Sequence, residues 1–273
     1  MDLIEKVART PISTIVIFAL VCTIIRVGIN SQLWRRSKIE RQMVSSKILS
    51  FLENTCDALI YAGVLVFLLI RPYAVQTFRI PTESMVPTLK VGDLLIVNKA
   101  IYRYSDPKVG DIVVFKPPAF AHQPGEDPNE DFVKRLVGVG GQVVEMKNKQ
   151  LYRDGVPVSE PFVNPETTFA YQPADFKLVK YHDMLIPILR DANHNSPGHS
   201  LYDKYVQPQD MESVWDLPAQ KIPDGEFLMM GDNRCGSYDG RFWGLIGRDA
   251  LVGKAWLTFW PLNRMGWADK RPR

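Results

Sequence analysis

The sequence predicts a mainly β protein, an antiparallel β-sheet domain anchored by two N-terminal transmembrane helices. Three observations carry that expectation. Two apolar stretches near the N-terminus flank a basic loop; beyond residue 76 the apolar residues fall into short runs separated by turn signals; and no helical period is sustained after residue 90. A loop-rich insert interrupts the sheet pattern at about residues 159–221.

The first apolar stretch runs from Pro11 to Ile29, broken only by Arg26 and the hydroxyls of Ser13, Thr14 and Thr23, and approaches the roughly 20 residues a span needs. A cleaved leader is the alternative, but the run is long for one and its flank, Glu5-Lys6-Val7-Ala8-Arg9, is only weakly basic. The second stretch is apolar from Ala58 to Ile70 and becomes span-length when extended from about Leu52 through Val75; a buried core helix is its alternative. Between them Arg35, Arg36, Lys38, Arg41 and Lys47 outnumber Glu40 and Glu53, so the loop is expected on the cytoplasmic side and everything after Gln76 on the other. The expected organisation is residues 1–30 with the first helix, 31–54 as the basic loop, 55–75 as the second helix and 76–273 as an exported domain.

Within that domain Leu94-Leu95-Ile96-Val97, Ile112-Val113-Val114-Phe115, Gln142-Val143-Val144-Glu145-Met146 and Phe227-Leu228-Met229-Met230 read as strands. Asp154-Gly155, between Leu151-Tyr152 and Val156-Pro157-Val158, is a two-residue hairpin signal. The insert is rich in Pro, Asp, Asn, His and Tyr; the pattern resumes at Ile222-Pro223-Asp224-Gly225 and closes on Ala255-Trp256-Leu257-Thr258-Phe259-Trp260, giving a core of about 76–158 and 222–262. Pro117-Pro118 to Asp131, with Glu126, Asp127 and Glu130, reads as an acidic surface loop. A length of 273 residues accommodates an anchor and one domain, and a net charge of +3 without a basic aromatic surface argues against nucleic acid as a partner. Of Cys22, Cys56 and Cys235 only the last falls in the exported part, so no disulfide can close within it.

The chemistry-bearing stretch is Ile80-Pro81-Thr82-Glu83-Ser84-Met85-Val86-Pro87-Thr88-Leu89, a serine between two prolines just after the second apolar segment. An alcohol needs a base near neutral pH, and His122, His182, His194 and His199 all lie in irregular stretches. The prolyl-glycyl spacing in His194-Asn195-Ser196-Pro197-Gly198-His199 prevents a helical metal-ligand face, and no other pattern supports a metal. A lysine can serve instead if burial strips its proton, a shift of about three units from a free value near 10.4, on the order of 4 kcal/mol. Phe132-Val133-Lys134-Arg135-Leu136-Val137 frames Lys134 in apolar residues, and in a strand Lys134 and Arg135 face opposite sides.

Ser84-Met85-Val86-Pro87-Thr88-Leu89, Gly92-Asp93 before a strand, Lys134-Arg135 some 50 residues after the serine, and Gly231-Asp232-Asn233-Arg234 with Ser237, Asp239, Arg241 and Gly244 follow in order. This arrangement resembles the type I signal peptidases, membrane-bound serine proteases of bacteria, over about residues 55–153 and 222–262. The resemblance implies a signal-peptidase-type catalytic domain on the outer face of the inner membrane. It implies a monomer without cofactor or metal, whose partners are the lipid bilayer and signal-peptide-bearing preproteins, cut after Ala-x-Ala-type small residues. It makes Ser84 the nucleophile and Lys134 the general base, with the Ser84 N–H and the Thr82 hydroxyl as oxyanion hole. Ser237 would orient the lysine, and Asp239 would form an ion-pair network with Arg135 and Arg241. Met85, Leu89, Phe132 and Val133 would wall the pocket for the residue before the cut, and Phe78, Ile80, Leu95 and Val114 the pocket two residues earlier. The Trp256, Trp260 and Trp267 cluster with nearby basic residues suits a membrane interface or the packing of one strand face.

The chain departs from the family pattern at Cys235-Gly236 where Asp-Asn is usual, at Gly240 for a common Ser, at Thr82-Glu83 for Ser-Gly and at Gly140-Gly141 for Pro-Gly. A penicillin-binding-type reading through Ser105-Asp106-Pro107-Lys108 fails because Pro107 opposes the helix that motif requires. Two alternatives stay close to the resemblance: a peptidase dedicated to one exported protein, and an inactive signal-peptide binder.

Overall fold

A computed structural model of the chain describes residues 12–35, 44–65, 75–122, 127–163, 175–190, 204–207 and 210–269. The chain forms two compact units, residues 1–76 and 77–273. In the first unit, helices α1 (Ile12–Trp34) and α2 (Val44–Gly63) pack against each other, and Arg26 Nε lies 2.7 Å from an Asp57 carboxylate oxygen. Among the described residues no helix is long and apolar enough to cross a membrane, so the structure does not establish the two expected spans. Helix α2 starts at Val44, well before the expected boundary at 55, because Lys47 and Glu53 are compatible with a helix that neither Pro nor Gly interrupts. Residues 66–74, which the second expected span includes, lie outside the described residues.

The second unit is built on two antiparallel sheets, whose first strand begins two residues ahead of the unit's boundary. The larger contains β1 (Val75–Arg79), β2 (Leu94–Asn98), β3 (Ile112–Phe115), β4 (Phe132–Val139), β10 (Glu226–Met230), β11 (Ile246–Gly247), β12 (Leu251–Trp260) and β13 (Gly266–Trp267). Their order is β1-β2-β12-β3-β4-β10-β11, with β13 on β12. The smaller sheet is β7-β6-β5-β8-β9, from β5 (Val144–Lys147), β6 (Gln150–Arg153), β7 (Val156–Pro157), β8 (Asp175–Tyr181) and β9 (Met184–Arg190).

Alternation explains why the middle of the large sheet has no solvated face. In β3, Val113 and Phe115 join one apolar cluster with Leu136, Met229 and Trp243, while Ile112 and Val114 join another with Ile80, Met85, Leu95 and Val133. A run of four apolar residues therefore becomes a strand buried throughout. Strand β4 pairs with β3 on one side and β10 on the other, with Lys134 opposite Val113 and Arg135 opposite Ile112.

The hairpin signal at Asp154-Gly155 joins β6 to β7, with φ of 52° and 78°. Two more two-residue turns, Asn148-Lys149 and His182-Asp183, have the same left-handed backbone. The last of these lies in the expected loop-rich insert, which in fact contributes the β8–β9 hairpin to the smaller sheet through Met146↔Phe176. Alternation of buried Phe176 and Leu178 with Asp175 and Lys177 makes that strand, and the surrounding polar composition hid it. His194 and His199 lie outside the described residues.

The turn from β4 to β5 accounts for one departure from the family pattern. Gly141 has φ +84°, and a Cβ on Gly140 would come within 2.8 Å of Asp224 Cα and 2.9 Å of Pro223 O. Gly141 N–H also donates to Ile222 O at 2.8 Å. No side chain fits at 140 unless the 222–224 backbone withdraws. Gly140→Ala is therefore expected to destabilise the protein by about 1–3 kcal/mol, read as a lower urea midpoint; an unchanged midpoint would refute this packing.

Candidate active site

Three separated segments converge on Ser84. The first is its own turn, residues 81–89, closed at its base by Ile80 N–H to Asp93 O and Gly92 N–H to Ile80 O, both 2.9 Å. The second is the middle of β4, which a strand on each side holds in register. The third is the loop 231–241 that follows β10. Asn233 N–H donates to Ser84 O at 3.1 Å and Asn233 Nδ2 to Glu83 O at 3.2 Å, so this loop grips the serine turn by its backbone.

Lys134 Nζ donates to Ser84 Oγ at 2.8 Å, with the two residues 5% and 7% exposed. The Phe132 ring lies 5.4 Å from the amine. Thr82 Oγ1 is 3.2 Å from Ser84 Oγ, while Glu83 is exposed. These atoms open on a cleft of about 420 Å³ whose wall includes Ile80, Met85, Phe132 and Val133. Leu89, Leu95 and Val114 do not reach its surface: they are fully buried behind Ile80 and Met85, with Phe78 packed against the same cluster. They back the pocket and do not line it.

The cleft also takes in residues that sequence reasoning left out. Tyr238, Gly236 and Ala121 belong to its wall, and Asp127, Glu130 and Asp131 to its edge. The acidic stretch read as surface loop therefore borders the site; its immediate succession by Phe132-Val133-Lys134 was the available signal. Burial pushes the Asp131 carboxyl up from its usual range, against the opposing pull of Lys116 and Lys99.

Ion pairs hold the three segments, in an arrangement that differs from the expected one. Arg135 does not meet Asp239. Its Nε and Nη2 donate to the two Asp232 carboxylate oxygens at 2.7 and 2.6 Å, and its Nη1 donates to Gly110 O at 2.8 Å. Thr88 Oγ1 donates to the same Asp232 carboxylate at 2.5 Å. Asp239 pairs with Arg241 alone, through Nε at 2.8 Å and Nη2 at 2.9 Å, and accepts from Gly231 N–H at 2.9 Å. The two aspartates belong to one motif but face different arginines because the loop reverses between them.

Ser237 is buried, and its hydroxyl lies beside the Asp239 carboxylate, which it helps to hold ionised; it does not meet hydrogen-bond geometry with Lys134. It does lie beside the site: a Cβ on Gly231 would sit 2.3 Å from Ser237 Oγ and 2.4 Å from Ser84 O. Gly231 is thus required by contact with the nucleophile's own carbonyl. At Gly240, a Cβ would come within 2.8 Å of Met229 O, which explains the missing serine there. Cys235 is a half-buried free thiol, and Gly236 N–H closes the turn onto Asn233 O at 3.0 Å. Among the described residues no group of three or more His, Cys, Asp or Glu converges to hold a metal ion.

Comparison with known proteins gives a consistent result. The family model described as "Signal peptidase, peptidase S26" matches residues 52–260. A probable signal peptidase I-1 of Synechocystis sp. is 32% identical over 216 residues, covering 79% of this chain and 86% of that one. A signal peptidase I of Aquifex aeolicus is 32% identical, covering 72% of this chain and 80% of that one. A solved signal peptidase I from Enterococcus faecalis V583 is 20% identical with a TM-score of 0.32, covering 55% of this chain and 97% of that one.

Acid stability tests the Asp239 pair. Burial alone would raise this carboxyl, but the Arg241 charge and its hydrogen bonds outweigh burial and hold it below the usual range. A carboxylate so held stabilises the fold above the free value of about 4, and the contribution is lost as pH falls through the lower folded value. Between pH 7 and pH 2 the parent's urea midpoint should fall more than that of Asp239→Asn, the extra loss coming below about pH 4. Parallel midpoints would show that the pair contributes nothing.

Proposed function

The chain belongs to the signal peptidase family, peptidase S26, and on that premise we propose that it is a serine endopeptidase that removes signal peptides from exported preproteins, with Ser84 as nucleophile and Lys134 as general base. The observation that carries this reading is the 2.8 Å contact between the Lys134 amine and the Ser84 hydroxyl, both buried, at the floor of an open cleft. Burial disfavours a charged ammonium, and a neutral amine at this distance is placed to take a hydroxyl proton.

Ser84 Oγ attacks the carbonyl carbon of the residue before the cut while its proton passes to Lys134 Nζ. The C=O π electrons move onto oxygen, where the Ser84 N–H and Thr82 Oγ1–H donate to the oxyanion. Collapse of this intermediate breaks the C–N bond, and Lys134 returns the proton to the departing amine of the mature protein. Water, deprotonated by Lys134, then cleaves the acyl ester and regenerates Ser84. Thr82 Oγ1, already 3.2 Å from Ser84 Oγ, supports its assignment to the oxyanion hole.

The walls account for substrate choice. Met85, Phe132 and Val133 crowd the space beside Ser84, and Ile80 backed by Leu95 and Val114 limits the next pocket. Each extra methylene would overpack such a pocket by roughly 1–3 kcal/mol, which favours Ala-x-Ala-type small residues.

Anchorage in the bacterial inner membrane, with the catalytic unit on its outer face, completes the proposal. It is supported by the exposed Ile17, Phe18, Leu20 and Ile24 side chains of α1 and by the basic residues that follow it in sequence. In the catalytic unit, exposed Trp256, Leu262, Met265 and Trp267 around β12 and β13 suit a headgroup layer.

Cleavage of an Ala-x-Ala preprotein by the detergent-solubilised chain tests the reading. The parent should cut at the signal-peptide junction, folded Ser84→Ala and Lys134→Ala should not, and the parent's rate should rise with pH as the amine is deprotonated. Cleavage that survives Ser84→Ala, or a rate flat from about pH 6 to 10, would contradict the assignment.

A further inference from the structure

The serine–lysine chemistry makes no use of a short segment that caps two of the site's arginines. Leaving β7, the chain turns at residues 160–163, where Val163 N–H donates to Glu160 O at 3.1 Å. The Phe162 ring then lies 3.8 Å from the Arg135 guanidinium carbon. Two residues earlier, the Glu160 carboxylate accepts from Arg234 Nη1 at 2.8 Å and Nη2 at 2.6 Å. Both arginine side chains are about 95% buried, and Glu160 is only 10% exposed.

Each contact is one step from the reacting atoms. Arg135 follows Lys134 in β4, and its ion pair to Asp232 fixes that strand against the loop 231–241. Arg234 Nε donates to Gly231 O at 3.1 Å, and Gly231 packs against the Ser84 carbonyl. The Phe162 face adds a cation–π contact and keeps water from the guanidinium, and so preserves the strength of a pair that solvent would otherwise screen. Glu160 compensates the Arg234 charge, which would otherwise be buried alone. Neither Glu160 nor Phe162 lines the cleft.

We propose that Glu160 and Phe162 are positioning residues, a clamp at the entrance to the insert that holds the Lys134 strand and the 231–236 loop at the spacing the Lys134–Ser84 contact requires. The clamp rests on the serine–lysine reading. Because neither side chain lines the cleft, the clamp acts on turnover through the spacing of the dyad and makes no contact with substrate.

The test compares the detergent-solubilised full chain with Phe162→Ala, Phe162→Tyr, Glu160→Gln and Ser84→Ala on an Ala-x-Ala preprotein. Phe162→Ala and Glu160→Gln should lower kcat by about tenfold or more with KM within about twofold, and Phe162→Tyr should restore kcat to within about twofold of the parent. Unchanged kcat in a folded Phe162→Ala, proportional changes in kcat and KM, or no rescue by tyrosine would overturn the clamp. A parent that does not cleave in a Ser84-dependent way would count against the serine–lysine reading, and amide exchange then decides the clamp. The amides of residues 231–236 should exchange about tenfold faster in Phe162→Ala and Glu160→Gln, and unchanged exchange would overturn it.

Discussion

The site depends on the Arg135–Asp232 ion pair. Lys134 and Ser84 come from segments 50 residues apart, and a hydrogen bond between two flexible side chains could not set that distance alone. Asp232 sets it by accepting two bonds from Arg135, beside the base, and one from Thr88, four residues beyond the nucleophile. A bidentate guanidinium–carboxylate pair fixes direction as well as distance, and in this dry setting it is not loosened by water. Removing one partner would strand a buried charge at a cost of about 3–5 kcal/mol.

The sheet makes that pair possible. Since successive residues of a strand point to opposite sides, β4 delivers Lys134 to Ser84 and Arg135 to Asp232 from adjacent positions. Sliding β4 by one residue would exchange the two roles, and pairing with both β3 and β10 prevents it. The loop after β10 completes the frame. Its glycines allow approaches that no Cβ would permit: Gly231 to the Ser84 carbonyl and Gly240 to Met229 O.

The parts of this arrangement written in contiguous residues were legible in the sequence. The apolar runs of β2, β3 and β10, the Asp154-Gly155 hairpin, and a serine and a lysine in distinctive surroundings could all be read directly. Pairings across the fold could not. Asp232 and Asp239 stand seven residues apart in one motif, and only the reversal of the loop shows which arginine each meets. The β8–β9 hairpin was hidden by its polar neighbourhood, and the place of Glu160 and Phe162 against Arg234 and Arg135 depends on how two sheets join. Leu89, Leu95 and Val114 were expected as pocket walls, yet lie one layer further in. Residue type marked them as apolar neighbours of the site, but depth is a property of packing.

The most direct measurement is a double-mutant cycle on the pair that holds the segments together, Arg135→Met and Asp232→Leu, each alone and combined, followed by unfolding free energy and turnover. If the two residues act as one unit, the double variant should be no worse than the poorer single in either quantity, because the second change removes a charge already stranded by the first. Independent, additive losses in stability and multiplied losses in turnover would show that Arg135 and Asp232 serve the site separately, and would contradict the account.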